Sequence, residues 1–163
     1  AVVERGGEVF ALFNAFGVVA SLTGDRIVIK DQELRRAHNL TLLNDDVVMI
    51  NDTTRSAVRF YHLDTGRCER VLSMRRSVRM WRVMAEPIAR RVSEAVFRPT
   101  RRKAGRLGFQ RGLALQDGRR LFVGISPATI VEVDLSTGRV VDACRYSTDA
   151  NVAVHGLAVV SDP

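Results

Sequence analysis

The chain has 163 residues, of which 46% are hydrophobic and 26% are charged. This composition fits one folded globular domain and excludes a disordered chain. The formal net charge of +7 is unevenly placed, because residues 75–109 hold eleven basic and two acidic residues, a net charge of +9 that leaves −2 for the rest of the chain. The sequence therefore describes a nearly neutral scaffold that carries one basic segment.

The first 36 residues predict short strands joined by tight turns. The apolar run at 9–22 is too short to span a membrane and is interrupted by small and polar residues, so we interpret it as two buried strands. Asp and Gly in the turn at 23–25 tolerate the left-handed backbone that tight reversals need. We interpret the whole stretch as a partial or degenerate repeat. The predicted strands are 9–13, 18–22 and 26–30.

Two later segments, 38–74 and 110–146, each predict four strands. Short apolar or alternating runs are bounded by clusters of Gly, Asn and Asp, and their close spacing favours hairpins. Asp52, Asp64 and Asp117 lie at turn positions, where Asp forms local hydrogen bonds. The predicted strands are 40–43, 47–50, 58–63 and 67–72 in the first segment, and 113–115, 121–125, 130–135 and 140–146 in the second.

The two segments are copies of one unit, and a third copy begins at 155–159. The strands at 58–63 and 130–135 both end in Leu, a polar residue, Thr, Gly and Arg. Self-similarity at a fixed spacing indicates a repeat architecture. Four antiparallel strands in about 40 residues are typical of a β-propeller blade.

Two cysteines, Cys68 and Cys144, are too few for a disulfide scaffold. Each follows the Thr-Gly-Arg turn of a repeat, so we expect both in the last strand of a unit. We predict that they are buried free thiols, with a redox pair as the alternative.

The repeat motifs resemble blades of the NHL and quinoprotein-like β-propeller repeat proteins, and of WD40/YVTN-like propellers more broadly. Phe-Gln-Arg-Gly-Leu-Ala at 109–114, followed by Leu-Phe-Val-Gly-Ile-Ser at 121–126, is similar to a poorly characterised bacterial propeller group. The resemblance implies a mainly β chain that forms a single partial propeller domain. The implied blades are approximately 1–36, 38–74 and 110–146, with the start of a further blade at 153–163 and an insertion at 75–109.

About three blades are too few for a closed propeller ring, which typically has four to eight. An open fan leaves edge strands with unpaired backbone groups that favour association. We therefore expect a protein partner or a homo-oligomer that completes the ring, for example two chains that supply about six blades. The alternatives are that the chain is a piece of a longer propeller, or that residues 1–36 and the last strand combine into a small ring.

The basic segment interrupts the repeat and predicts a helix. Pro87 suits the first turn of a helix, and apolar residues recur at i+1, i+5 and i+9 after it. We therefore expect an amphipathic helix that begins at Pro87 and ends before Pro99. A weaker helical stretch at 77–85 carries the only tryptophan, and a basic loop at 99–108 returns to the next blade.

Several roles are open for this basic segment. Its apolar residues can pack it onto the propeller or onto a second subunit, with the arginines solvated. Arginine clusters with interleaved aromatic residues also suit an acidic protein partner, a nucleic acid or an anionic membrane surface. The candidate anion-binding or partner-binding residues are Arg75, Arg76, Arg79, Trp81, Arg82, Arg90, Arg91, Arg101, Arg102 and Lys103.

Three polar side chains fall at one level of the repeat. His38 and His155 each precede the matching leucine by two positions, and Arg111 stands at the equivalent place between them. We predict that these three residues line the mouth of a central channel and bind a ligand there. They either hydrogen-bond neighbouring blades or converge on a metal or an anion, although two histidines without an acidic partner make a poor zinc site.

No phosphate-binding glycine loop, dinucleotide fingerprint, paired-cysteine metal site or HExxH motif occurs in the sequence. Ser126 has only half of a nucleophile elbow, so we predict no catalytic residue and no cofactor. The favoured function is a non-catalytic binding or scaffold module, expected in the cytoplasm, that assembles through its open edges and its basic insertion. The alternatives are a propeller-type hydrolase or lyase with a metal or anion at the channel mouth, and a binder of nucleic acid or anionic surfaces through residues 75–109.

Overall fold

The structure, a computed structural model, describes residues 1–97, 108–149 and 151–160. As predicted, the protein is mainly β. Its strands form three four-stranded antiparallel sheets, and in each sheet the strands follow one another in chain order. One long helix follows the second sheet.

The elements have the following bounds. Sheet 1 contains β1 (Val2–Arg5), β2 (Glu8–Phe13), β3 (Val18–Ser21) and β4 (Arg26–Lys30). Sheet 2 contains β5 (His38–Leu42), β6 (Val47–Asp52), β7 (Ala57–His62) and β8 (Cys68–Ser73). Sheet 3 contains β9 (Gln110–Gln116), β10 (Arg120–Ile125), β11 (Thr129–Asp134) and β12 (Arg139–Arg145). The helix α1 covers Val78–Phe97, and short 3₁₀ turns lie at Gln32–Leu34 and Met74–Arg76.

The two copies of the sequence repeat occupy equivalent places. β7 and β11, which hold the repeated apolar strand, are each the third strand of their sheet. The Thr-Gly-Arg turns that follow them place Gly66 at φ +66° and Gly138 at φ +67°. Sheet 1 is a complete four-stranded unit, because β1 precedes the three predicted strands. β1 was not predicted from the sequence, although Gly6 and Gly7 form the positive-φ pair that a two-residue hairpin turn requires.

Sheet 2 lies between the other two sheets, and its strand β6 is buried on both faces. All six residues of β6 are buried, and successive strand residues point to opposite faces of a sheet. Val47 and Met49 belong to a core that is shared with sheet 3 and α1, whereas Val48 and Ile50 belong to a core that is shared with sheet 1. One strand that is apolar on both sides therefore joins the three sheets.

Side chains of β6 and of the turn that follows it hydrogen-bond the free edge of β9 and the chain just before it. Asn51, Thr53 and Ser56 donate to the main-chain oxygens of three alternate residues in 108–112, at 3.0, 3.0 and 3.2 Å. Alternate strand residues direct their carbonyls to the same side, so one row of donors satisfies an edge that would otherwise be unpaired.

An ion pair and a phenol attach the linker between sheets 1 and 2 to β7. Asp52 is completely buried and accepts a hydrogen bond from Arg59 Nε at 2.9 Å, and Arg59 also contacts Glu33 Oε2 at 2.8 Å. Tyr61 donates to Asp31 Oδ2 at 2.7 Å; burial raises the pKa of Tyr61, and the hydrogen bond to Asp31 raises it further. Asp52 therefore does more than form the local turn contacts predicted for it.

The helix α1 is continuous across Pro87, so the prediction that Pro87 opens the helix is wrong, and the weaker stretch at 77–85 belongs to the same helix. A proline inside a helix lacks the N–H that would bond to the carbonyl four residues earlier. Here Arg145 of β12 donates to that carbonyl, Val83 O, and also pairs with Glu86. No helix among the described residues has the length and apolar character to cross a membrane.

No strand forms within 151–160, where we predict the start of a further blade at 153–163. A strand needs a neighbour to pair with, and this segment instead packs its side chains on sheet 3. Val154 and Leu157 approach Gly124 and Gly112 so closely that a Cβ on either glycine would lie 2.9 Å or less from a side-chain carbon. Within the described chain the three sheets do not close into a ring.

The cysteines lie in the last strands of sheets 2 and 3, as predicted. The prediction that they are buried is wrong, because Cys68 and Cys144 are both exposed free thiols. The reason is the place of β8 and β12, which are the edge strands of their sheets and show solvent-facing residues along most of their length.

Candidate functional site

A cavity of about 480 Å³ opens where the first strands of sheets 2 and 3 approach each other. It brings together all three residues that the repeat register places at one level, His38, Arg111 and His155. Their role in ligand binding stays a prediction. The other lining residues are Asn14, Ala15, Arg36, Phe109, Ser126, Asn151 and Ala153.

Irregular backbone shapes the strands at this cavity. Where β5 pairs with β6, Asn39 is left out of the register and has a φ of +59°. Where β9 pairs with β10, Arg111 is the residue left out. Bulges of this kind redirect side chains and are common beside functional sites. Arg36, another lining residue, has a φ of +69°, which is uncommon for residues other than glycine.

Arg111 contacts two of the other residues that line the cavity, His155 and Phe109. Its Nη1 lies 3.2 Å from each ring nitrogen of His155, and its guanidinium carbon lies 4.8 Å from the ring centroid of Phe109. The Nε of Arg111 is buried and has no hydrogen-bond partner within the described chain. A buried donor without an acceptor is costly.

His38 packs edge-on against Phe109, with ring centroids 5.6 Å apart. Burial lowers the pKa of His38 from its usual value of 6.5, and the positive charge of Arg111 lowers it further. His38 is therefore neutral at pH 7 and takes up a proton only in acid. In the neutral form it offers a ligand one donor and one acceptor.

The cavity is lined by positive charge. Arg36 and Arg111 supply the permanent cations, and Ser126, Asn14 and Asn151 supply neutral hydrogen-bonding groups. None of the ten lining residues identified in the described chain is Asp or Glu. Because a guanidinium keeps its proton in proteins, this lining attracts an anion and opposes a divalent metal ion.

Sequence reasoning missed the loop residues of the cavity. Asn14, Arg36 and Asn151 come from separate segments, and only the packing of the sheets brings them together; Arg36 N donates to Asn14 O at 3.1 Å and ties the linker to the end of β2. Phe109 could have been predicted from the sequence. It stands two residues before Arg111, and residues two apart share one face of a strand.

The residues predicted in the basic segment fall into three groups. Those around the start of α1 are exposed and lie close together in the chain, which makes them the best-defined part of the segment. The exposed group consists of Arg75, Arg76, Arg79, Trp81 and Arg82. Arg90 and Arg91 lie further along α1. Arg101, Arg102 and Lys103, with most of the predicted loop at 99–108, lie outside the described residues.

A separate cluster of potential metal ligands lies at the turns of sheet 2. Asp46, His62 and Asp64 offer ligand atoms that lie within 4.8 Å of one another. Arg5 pairs with Asp64 at 3.7 Å, and His62 Nδ1 accepts from Asp64 N at 3.3 Å. Since these contacts already use groups that a metal would need, we assign no metal site to the cluster.

No protein-family model matches the chain, and no curated protein matches it. We therefore infer its function from the chemistry of its own residues.

Proposed function

We propose that the protein is a non-catalytic binding module that holds a small anion in the cavity around Arg111. The main support for this proposal is the composition of the cavity lining. Two arginines, two histidines and neutral polar groups converge there, with no carboxylate among the identified lining residues. Arginine binds carboxylate, sulfate and phosphate groups through charge-assisted hydrogen bonds. A volume of about 480 Å³ also falls within the usual range of small-molecule sites.

The module is of the β-propeller type in this proposal, related to the NHL and quinoprotein-like propellers that its motifs resemble. Two observations support that architecture. Each sheet has four antiparallel strands in chain order, and the first strands of neighbouring sheets contact each other, β1 with β5 and β5 with β9. A propeller arranges four-stranded blades around a central channel, and the cavity lies beside these first strands.

A metal-dependent hydrolase or lyase has weaker support. His38 and His155 would supply only two nitrogen ligands, and Arg111 Nη1 lies 3.2 Å from the His155 ring. A fixed positive charge at that distance repels a divalent cation and attracts an anion.

We expect sulfate to bind the wild-type protein, and the substitution Arg111→Gln to weaken this binding at least tenfold. A hydrogen bond to a charged group contributes about 1.5–3 kcal/mol, and about 1.4 kcal/mol corresponds to a factor of ten. Isothermal titration calorimetry measures the affinity. The matched control Arg139→Gln removes an exposed arginine of β12 and should leave the affinity unchanged.

The sulfate affinity should also rise as the pH falls from 7 toward 5. His38 has a lowered pKa, so acid adds a positive charge to the cavity while sulfate keeps its own charge. His38→Gln should reduce this pH dependence, because it removes one of the two histidines that line the cavity. If the wild-type protein bound zinc stoichiometrically and did not bind sulfate, the result would contradict the anion site and favour the metal-dependent alternative.

We also propose that the open ends of the fan assemble with a second copy of the chain. Large apolar side chains are exposed at both ends: Val2 and Ile27 of sheet 1 are 60% and 61% exposed, and Val160, beyond sheet 3, is 86% exposed. Exposed apolar surface at an open edge favours association. Two fans would bring six sheets together, within the four to eight blades of known propellers.

Sedimentation equilibrium should therefore give a mass of at least two chains. Ile27→Glu should lower the mass, because a charge placed in an apolar interface opposes association. The control Gln32→Glu adds the same charge at an exposed position outside the strands and should leave the mass unchanged. A monomer at every protein concentration would refute this mode of assembly.

A further inference from the structure

Helix α1 uses only part of its circumference to pack on the sheets. Met80, Met84 and Pro87 are buried, and the two methionines belong to the core that sheets 2 and 3 share. Arg145 holds the helix at Val83 O. These contacts fix which side of α1 faces outward.

A second apolar stripe on α1 faces solvent. Val78, Trp81, Val92 and Val96 are 67%, 58%, 60% and 66% exposed. With 3.6 residues per turn, the four positions fall within about 60° of one another and extend over about 27 Å of the helix. A contiguous exposed apolar patch of this kind marks an interaction surface.

The stripe begins among exposed positive charges. Arg75, Arg76, Arg79 and Arg82 are exposed, and no acidic residue lies in the first turn of α1. A helix is already positive at its N-terminal end, so these arginines concentrate positive potential beside the stripe. The acidic Glu86 further along is neutralised by its ion pair with β12.

Trp81 is held in one orientation and is still largely exposed. Its Nε1 donates to the main-chain oxygen of Arg75 at 2.9 Å. The polar group of the indole is therefore satisfied, while more than half of the side-chain surface contacts water. Tryptophan is enriched where an apolar phase meets water, because it combines an apolar ring with one polar N–H.

The positive charge beside the stripe indicates which kind of partner binds it. A second copy of the chain would bring equal positive charges together, whereas an anionic surface would attract them. One apolar row with arginines beside it is the arrangement of amphipathic helices that lie in the lipid headgroup region. We propose that α1 docks the protein onto an anionic lipid surface, with the stripe of Val78, Trp81, Val92 and Val96 in the headgroup region and the arginines on lipid phosphates. This surface is independent of the cavity around Arg111.

Trp81 is the only tryptophan in the chain, so its fluorescence reports on the stripe directly. We expect a blue shift and co-sedimentation with vesicles of equal parts phosphatidylcholine and phosphatidylglycerol. Phosphatidylcholine vesicles alone should give little of either, and high salt should weaken binding to the mixed vesicles because it screens exposed charges. Equal binding to both kinds of vesicle would overturn the proposal.

The double substitution Val92→Glu with Val96→Glu should reduce vesicle binding at least tenfold. Both side chains are exposed, so the circular dichroism spectrum should not change. The control Val71→Glu places a charge at a 49% exposed valine of β8 and should bind like the wild type. Undiminished vesicle binding by the double variant would refute the role of the stripe in membrane binding. A blue shift that depends on protein concentration in the absence of vesicles would also refute the proposal, because it would show that the stripe binds a second copy of the chain.

Discussion

The substitution Arg59→Met should lower the free energy of unfolding by about 3–5 kcal/mol, the cost of removing the nearest charged partner of a buried carboxylate. The carboxylate of Asp52 is completely buried, the Arg59 side chain is 12% exposed, and Arg59 Nε lies 2.9 Å from Asp52 Oδ2. Burial alone lowers the pKa of Arg59, but the hydrogen bond to Asp52 and the negative charges around the guanidinium, those of Asp52 and Glu33 among them, together outweigh burial and raise the pKa. The pair is therefore ionised, and methionine keeps the length of the side chain while it removes the charge.

Arg55 supplies the matched control for this prediction. It contacts the same two carboxylates, Glu33 at 2.7 Å and Asp52 at 3.5 Å, but its side chain is 50% exposed. Exposed ion pairs contribute about 0–1 kcal/mol, so Arg55→Met should cost no more than that. Urea denaturation measures both variants. Equal small losses would contradict the role of Arg59. Adding Asp52→Asn to Arg59→Met should restore part of the stability, because it removes the buried charge that has lost its nearest partner.

The substitution Gly66→Ala should cost about 2–5 kcal/mol, whereas Gly138→Ala in the equivalent turn should cost about 1–2 kcal/mol. Both glycines have a φ near +66°, where any other L-residue pays about 1–2 kcal/mol. Of these two glycines, Gly66 is the one whose new Cβ would lie 2.4 Å from a main-chain oxygen, that of Val28 in sheet 1. Forcing an atom into such a contact adds about 1–3 kcal/mol.

The surroundings of Gly138 explain the smaller cost there. The nearest atom to a Cβ at this position is Nη2 of Arg70, at 2.8 Å, and the end of a flexible side chain can move away. Chemical denaturation of the two alanine variants, measured side by side, gives the difference. Equal losses would show that the turn of sheet 2 does not press on the backbone of sheet 1.

Local sequence pattern was enough to find sheets 2 and 3. Each of the eight strands predicted in 38–74 and 110–146 overlaps a strand of the structure, because the alternation of apolar and polar residues is a property of neighbours in the chain. The same register placed His38, Arg111 and His155 at one level, and the structure brings all three to one cavity.

Pattern was not enough where a distant residue supplies the decisive contact. Pro87 suited a helix start by its missing N–H, but the helix continues through it, and Arg145 of sheet 3 donates to the carbonyl that Pro87 leaves without a partner. Asp52 had the sequence context of a turn residue, and its burial depends on Arg59. The sequence pattern placed both cysteines in strands but did not show that these are edge strands, and the edge position explains why the cysteines are exposed.

By itself, the sequence determined the strands, the turns and the repeat register, since each depends on residues that are close together in the chain. The tertiary structure alone decided how the three sheets stack, which loop residues complete the cationic cavity and which face of α1 remains uncovered. Those features depend on hydrogen bonds, ion pairs and packing between segments that are far apart in the chain, and no local pattern encodes such contacts.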